Sequence, residues 1–522
     1  MGLSANSLAA AVGASAENVQ FAPSADVLPR KIVIIGTYDP AKTSVVDNVP
    51  VLVTDEADVG AKTGFGFMLH RLAVRTFAGG QGVETWIVPQ PEAGGATAAA
   101  GDIDFTGSVP TENATLYLYI AGIAVPVTVS DSDADTDIAT NVVAAVNADD
   151  DLPVTAAVNG GTPAQVDFTS KSKGPWGDLI SLTFNWGFQE ELPAGVVAVV
   201  TDMTGGAGLP DVDDALDGLG TGDDQNVNHN TDVVHGYGQD STTLNKISVY
   251  NGIGDTKTGN YAKLVSRPFR VLDGDVEPGS SALSALVALG DGRRETDRTN
   301  GIIAAPGSPN HPAEVAAVTI GIMARVNNDR AEESYIGQVL PGIIPGALAD
   351  RWTRFYDSRD TALKAGISPT KAVGNALILQ NVATFYHPTS VPITSNVYRS
   401  MRNISIVQNV LNAERVNFSG TKWQGISIVA DVTKVSNSIS REKARDIDAV
   451  IDDLLRLTIA FEGRAWIFTA AFTIERLQAG GLVTIRAGGT GFDSTLPLLV
   501  SGEGGIFDTV TQFDASLAVL LQ

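Results

Sequence analysis

The 522-residue chain contains no cysteine. Disulfides, thiolate metal sites and cysteine nucleophiles are therefore excluded. Histidine is scarce, with five in all, so imidazole chemistry has few candidates. No apolar run approaches the roughly 18 residues that a membrane span needs. No Lys or Arg precedes Arg30. The N-terminal "MGLSANSLAAAVGASAENVQ" thus lacks the basic start of a secretory signal. These absences point to a soluble, intracellularly made protein with a weakly structured N-terminal arm. Positive charge is also missing from one long stretch. Residues 91–239 hold 23 Asp and Glu against only Lys171 and Lys173, whereas the rest of the chain is close to balanced. Such a shift marks a domain boundary. It also argues against nucleic acid as a partner, because phosphate binding needs clustered positive charge. A base-free acidic surface suits a module that faces water.

What is present reads as a globular chain of about three or four domains. "KIVIIG" (31–36) and "ETWIVPQ" (84–90) are strand-like, with a helix over 64–80 between them. "KISVYNG" (246–252), "GIIAAPG" (301–307) and "SYIGQVLPG" (334–342) read as further strands, and 311–329 as a helix opened by Pro312. Strands alternating with helices argue for a mostly parallel βαβ layer. The acidic segment differs: paired strands in 114–130, a helix and strand in 137–158, two strands in 165–186. It reads as a mainly β module inserted into an α/β domain. Later, 440–464 reads as one helix capped by Ser440, followed by β structure over 480–492. The last stretch has strand character after glycines, and such a strand needs a partner sheet.

Candidate chemistry is sparse. "KIVIIGTYDPAKT" (31–43) approaches a P-loop, with Gly36, Lys42 and Thr43 in register. Ala41 replaces the second glycine and Pro40 removes an N–H donor, so the loop cannot cradle phosphate as that motif requires. "DSDADTD" (131–137) alternates aspartates like a calcium loop, but Thr136 and Val142 stand where glycine and glutamate belong. It reads as a solvated turn with Thr136 or Asp137 capping the next helix. No G-x-S-x-G elbow accompanies a histidine. His235 reads as solvated in a polar loop; His229 and His235 lack metal-ligand spacing. His70 and His387 read as structural. The six tryptophans (Trp86, Trp176, Trp186, Trp352, Trp423, Trp466) have no basic companions and default to core packing. No cofactor, metal or catalytic residue is expected.

Several stretches in order resemble a known family: "PRKIVIIGTYDP" (29–40), "VRTFAGGQGVETWIVPQ" (74–90), "LYLYIAGIAVPVTV" (116–129), "DIATNVVAAVNADDDLPVTA" (137–156) and "KSKGPWGDLISLTFNW" (171–186). The chain is similar to contractile tail sheath proteins of Mu-like bacteriophages. The resemblance implies a non-enzymatic α/β and α+β multidomain protein. Its core would be subtilisin-like but non-catalytic, spanning 29–90 and 241–395. A mainly β outer domain (91–240) would be inserted there, and a C-terminal α+β domain (396–503) would face the inner tube. Arms at 1–28 and 504–522 would cross to neighbouring copies and add strands to their sheets. The strand residues would be Ile506, Phe507, Val510, Phe513, Leu517 and Val519, hinged at Gly502, Gly504 and Gly505. Implied partners are further copies of the chain, the tail tube, and the baseplate and terminator proteins, with no stable membrane insertion. The implied place is the virion tail, assembled in the bacterial cytoplasm. Two other readings compete: an α/β hydrolase, and a calcium-binding extracellular adhesin.

Overall fold

The computed structural model describes residues 27–502, apart from 188, 221–228, 254–258, 260–266, 391 and 393–396. The described residues divide into two compact units, 27–412 and 413–501.

The first unit is built on an eight-stranded sheet. Its centre is β1 (Lys31–Thr37), which pairs in parallel with β3 (Glu84–Gln90) on one side and β11 (Asp232–His235) on the other. Beyond β11 the sheet continues in parallel through β12 (Arg270–Asp275), β13 (Asn300–Ala304) and β14 (Ile367–Val373). The outermost strands, β2 (Val51–Val53) and β15 (Ala376–Leu379), run antiparallel to their neighbours. Strands β1, β12 and β13 are buried almost throughout. That burial explains their continuous apolar runs, as a parallel sheet is covered on both faces.

The cover includes α2 (Met68–Gly79) and α7 (Pro312–Asp329). The latter is buried continuously from Pro312 to Ala324. Their backbones cross closely at glycines: a Cβ on Gly321 would lie 2.7 Å from Gly80 N and nearer still to Thr76 O. Around the crossing, Glu314 of α7 accepts from Arg71 Nε at 2.9 Å and Arg75 Nε at 2.7 Å, all three side chains being largely buried.

Between β3 and β11 the chain leaves the main sheet. Strands β4 (Ala100–Asp104), β7 (Val154–Val158), β8 (Gln165–Ser170) and β10 (Val199–Thr204) form one antiparallel sheet. A second sheet holds β5 (Ala114–Ile120), β6 (Ile123–Val129) and β9 (Leu182–Phe184). Helix α3 (Asp135–Asn147) buries Ile138, Val142 and Val146 in the same core. The β5–β6 hairpin turns at Ala121 and Gly122, both with positive φ, as a two-residue hairpin requires. Thr97 and Ala207 exchange backbone hydrogen bonds of 2.9 and 3.2 Å at the neck of this inserted part.

Three sequence expectations fail here. Residues 246–252 are not a strand but the end of α5 (Ser241–Asn251). Asp240 caps this helix by accepting from Thr243 N, and Gly252 ends it in the left-handed conformation. Good caps outweigh its β-branched residues. Residues 334–342 make only an isolated bridge, Val339 to Ile378, because Gly337 and Gly342 turn the chain through positive φ. The segment still covers the β15 edge through Leu340 N to Leu377 O, 2.9 Å. Finally, 440–464 is not one helix. Short α10 (Ser438–Lys443) ends at β17 (Ala444–Arg445), which pairs with β16 (Ser427–Ile428). Helix α11 (Ile447–Gly463) then starts afresh from Asp446, whose carboxylate accepts from Ala449 N.

The second unit packs α11 and α12 (Ala471–Gln478) against the two-stranded ribbon of β18 (Val483–Ile485) and β19 (Phe492–Ser494). Val450, Leu454, Leu477 and Val483 form its centre. Buried Asp453 gathers Lys422 Nζ at 2.6 Å, Trp423 Nε1 at 2.9 Å and Asn417 Nδ2 at 3.3 Å. The expected β structure of 480–492 is present as this ribbon.

Candidate functional site

In open α/β sheets ligands bind outside the carboxyl ends of the strands, where the strand order reverses. Here the order reverses between β1 and β11. After β1 the chain makes a tight turn: Asp39 Oδ1 accepts from Ala41 N and Asp39 O from Lys42 N, each at 2.9 Å. No helix follows Thr43; the next, α1, spans Glu56–Thr63. A phosphate cradle needs free N–H groups and a helix N-terminus; here the N–H groups of Asp39, Ala41 and Lys42 are already engaged and no helix begins. Gly36 serves packing, since a Cβ there would meet Met68 Sδ at 3.1 Å.

The histidines are structural in geometry. His235, expected in solvent, is fully buried at the end of β11, and its Nδ1 accepts from Tyr237 N at 3.3 Å. Burial holds its pKa down at about 4. The "VVH" run belongs to a central parallel strand, so the polar loop begins only after it. His311 caps α7: Nδ1 accepts from Ala313 N at 3.2 Å, and Nε2 faces Trp176 O at 3.1 Å. Its ring stacks on Trp176 with centroids 3.6 Å apart. Burial pushes it down to about 4 as well. His70 is buried on α2, accepts from Gly66 N at 3.0 Å, and is likewise lowered to about 4 by burial. His387 bonds Phe385 O and Asp291. None of the rings at 70, 235, 311 and 387 meets a serine or threonine hydroxyl, which a nucleophilic triad would require.

The aspartate-rich turn is used for local capping. Asp133 accepts from Ser130 N at 2.8 Å, Asp137 from Ala134 N at 2.9 Å, and Asp135 from Gly107 N at 3.1 Å. The helix cap is Ala134, with Asp137 reaching back to it, rather than Thr136. Among the described residues no three His, Asp or Glu groups converge as metal ligands. No helix of the described residues is long and apolar enough to cross a membrane.

The more distinctive geometry lies where the chain enters and leaves the described units. At the entry, Leu28 N donates to Asn409 Oδ1 at 2.7 Å on α9 (Met401–Ser419). Arg30, fully buried, donates to Gln408 Oε1 and Ser405 Oγ on that helix and to Asn327 O at 3.2 Å. Burial lowers its pKa to about 10, aided by repulsion from Arg270. Arg270 itself is neutralised by Asp232, its Nε donating to Oδ1 at 2.8 Å. Pinning a buried guanidinium this way costs desolvation but fixes one geometry. At the exit, Phe468 N donates to Leu499 O at 2.7 Å and Ser501 N to Trp466 O at 3.0 Å. Trp466 is fully buried beneath this pairing and stacks near Phe461. Sequence patterns did not single out either anchor, because each joins residues far apart in the chain.

Several sheets end in unpaired edges among the described residues. β2 ends the large sheet, with Leu52 half-exposed on it and Val46 and Val49 exposed beside it. The β18–β19 ribbon has no third strand. Of the residues expected to act between subunits, Gly502 is exposed, and a Cβ there would meet nothing within 4 Å. Gly504, Gly505, Ile506, Phe507, Val510, Phe513, Leu517 and Val519 lie outside the described residues, as does the arm before residue 27.

No family model matches the chain. It is 26% identical over 396 residues, covering 74% of each chain, to the Mu-like prophage FluMu tail sheath protein of Haemophilus influenzae. That match bears out the resemblance read from the sequence. Among solved structures, the sheath tail protein of Desulfitobacterium hafniense is 12% identical, with 88% of this chain and 92% of that one aligned at a TM-score of 0.41. The sheath of an extracellular contractile injection system in its contracted state is 10% identical, with 98% and 99% aligned at 0.43.

Proposed function

We propose, from its kinship with a Mu-like prophage tail sheath protein, that this chain is a structural, non-enzymatic subunit of a contractile tail sheath. It polymerises helically around a tail tube and shortens to drive that tube through a host envelope. The observation that carries the reading is the match over three quarters of both chains. Both ring nitrogens of His311 are engaged, by Ala313 N and by Trp176 O.

The finer layout follows the same reading. The parallel sheet with its buried helix α7 is taken as the subtilisin-like core, and residues 91–240 as the outward module. Residues 396–503 are taken as the part nearest the tube. The segments 1–28 and 504–522 act as arms that add strands to neighbouring copies. Strand addition supplies main-chain hydrogen bonds with little demand on side chains. The β18–β19 ribbon is a natural acceptor, because among the described residues no third strand pairs with it. The anchored roots at Arg30 and Ser501 suit arms that carry load, and Gly502, Gly504 and Gly505 supply the flex. The tube, baseplate and terminator proteins complete the partner set.

Negative-stain microscopy of the purified full chain at high concentration tests this. Hollow striated cylinders are expected. Deletion of 506–519 is expected to leave soluble subunits that form none; cylinders from the truncated chain would refute the role of that strand. Hydrolase activity inhibited by a covalent active-site reagent would refute the non-enzymatic reading.

A further inference from the structure

A cavity of about 290 Å³ opens at the carboxyl ends of β11 and β12, beside the N-terminus of α7. It is lined by Gly236, Gly238 and Gln239, by residues 273–277 and by His311 and Pro312. Asp273 and Asp275 alternate around Gly274 on one strand, so both project to the same face. Asp273 is 1% exposed, and its Oδ1 accepts only from Gly274 N at 2.8 Å. Asp273 lines the cavity, and its Oδ2 is buried with no hydrogen-bond partner. Asp275 accepts from Gln239 Nε2 at 3.0 Å and from Glu277 N at 3.1 Å. No Lys or Arg forms an ion pair with Asp273, Asp275 or Glu277 among the described residues.

A buried carboxylate without a counterion is costly, and proteins resolve that cost by protonation or by an opposite charge. We propose that this cavity is a binding site for a cationic nitrogen, a primary ammonium or a guanidinium group, received by Asp273 and Asp275. The donor set favours this over a metal ion. N–H donors match an unpartnered carboxylate oxygen and the second carboxylate two residues on. A metal shell of three His, Asp or Glu groups does not converge anywhere among the described residues. Gly238 leaves open space beside β11, since a Cβ there would meet nothing within 4 Å. His311 is neutral near pH 7 and contributes no competing charge. Burial pushes Asp273 up to about 7 and Asp275 to about 6, so at pH 8 both are ionised and a proton no longer competes with a cation.

The nitrogen has two possible sources, a free amine or a Lys or Arg side chain of a second copy. The test starts with the full chain in solution and needs no assembly. Calorimetry and thermal melting are run at pH 8 with 1,4-diaminobutane, with tetramethylammonium as the control that lacks N–H donors. Wild type is expected to bind the diamine and melt higher. Asp273→Asn, nearly isosteric and free of the buried charge, is expected to fold as stably or better and to bind roughly tenfold to a hundredfold more weakly. In a second arm, carbodiimide coupling of Asp273 is compared in free and assembled chains. Protection on assembly, without response to the free diamine, assigns the nitrogen to the second copy. This arm alone rests on the sheath reading. Two results would overturn the proposal. One is no diamine response together with equal labelling in both states. The other is a wild-type response matched by tetramethylammonium or retained in Asp273→Asn.

Discussion

Replacing Gly321 with alanine sets two effects of opposite sign against each other. Alanine in a helix interior is favoured over glycine by about 1 kcal/mol. Position 321 lies within α7, so that gain applies. Against it stands the crossing with α2. The new Cβ would sit 2.7 Å from Gly80 N and closer to Thr76 O, both main-chain atoms that cannot rotate away. Ordinary contact would require the helices to part by roughly 0.7–1 Å. α7 is buried continuously from residue 312 to 324, so it has no empty side to move into. Overpacking of this kind costs about 1–3 kcal/mol, and more when backbone must shift. With two main-chain clashes the cost should lie in the upper half of that range, so overpacking should win with a net loss of about 1–2 kcal/mol. Gly292, in α6 (Gly279–Arg293), is the control, since a Cβ there meets nothing within 4 Å. Gly292→Ala should stabilise by about 0.5–1 kcal/mol. Urea unfolding followed by helical circular dichroism reads both. A Gly321→Ala protein as stable as wild type would refute the reasoning about this crossing.

His235 is held neutral by burial, with a folded pKa of about 4 against an ordinary value near 6.5. The unfolded chain therefore takes up the proton first as pH falls, and stability is lost from about pH 6.5 downward, by about 2 kcal/mol at pH 5. His235→Gln should abolish that share of the loss, seen as a shallower fall of melting temperature between pH 7 and 5. Glu314→Ala leaves Arg71 and Arg75 without their shared carboxylate and should cost about 3–5 kcal/mol by urea unfolding. Burial alone would raise the Glu314 pKa, but Arg71 and Arg75 more than offset it and hold it below the ordinary value. The contribution of Glu314 is therefore complete at neutral pH and lost only as pH falls below about 4; an acid profile of wild type against Glu314→Gln reads it. Lys42→Ala should change neither stability nor any nucleotide turnover, and ATP hydrolysis lost on this substitution would contradict the geometry after β1.

The elements legible in the sequence were those whose local signals agreed. β1 is a branched apolar run, α7 opens on Pro312, and the β5–β6 hairpin alternates around a glycine turn. β12 went unread because "RVLDGD" carries two aspartates and a glycine, residues depleted from strands. It is held by parallel partners on both sides, and its aspartates lie at the strand end where a cavity opens. α5 was misread because tertiary burial and caps outvoted Ile247, Val249 and Tyr250. The failed reading of His235 had the same origin: two apolar residues before it belong to a strand whose partner β1 lies about 200 residues earlier. Likewise the Arg30 anchor joins residues nearly 380 positions apart, and one sequence alone gives no sign of such a pairing. The Asp273 cavity shares this character, since its lining comes from four separate segments.

The exchange between Thr97 and Ala207 bears on how the chain is made. β1 leaves the ribosome long before β11, its neighbour in the finished sheet, and synthesis at about 5–20 residues per second makes that delay roughly 10–40 seconds. The intervening module can fold during the wait, because its strands pair among themselves. Once its neck closes, the excursion between β3 and β11 shrinks from roughly 140 residues to roughly 30, which lowers the entropic cost of joining β11 to β1 by about 1.4 kcal/mol. The neck thus acts as a temporal ordering device: the later-made half of the central sheet meets a partner already brought within reach.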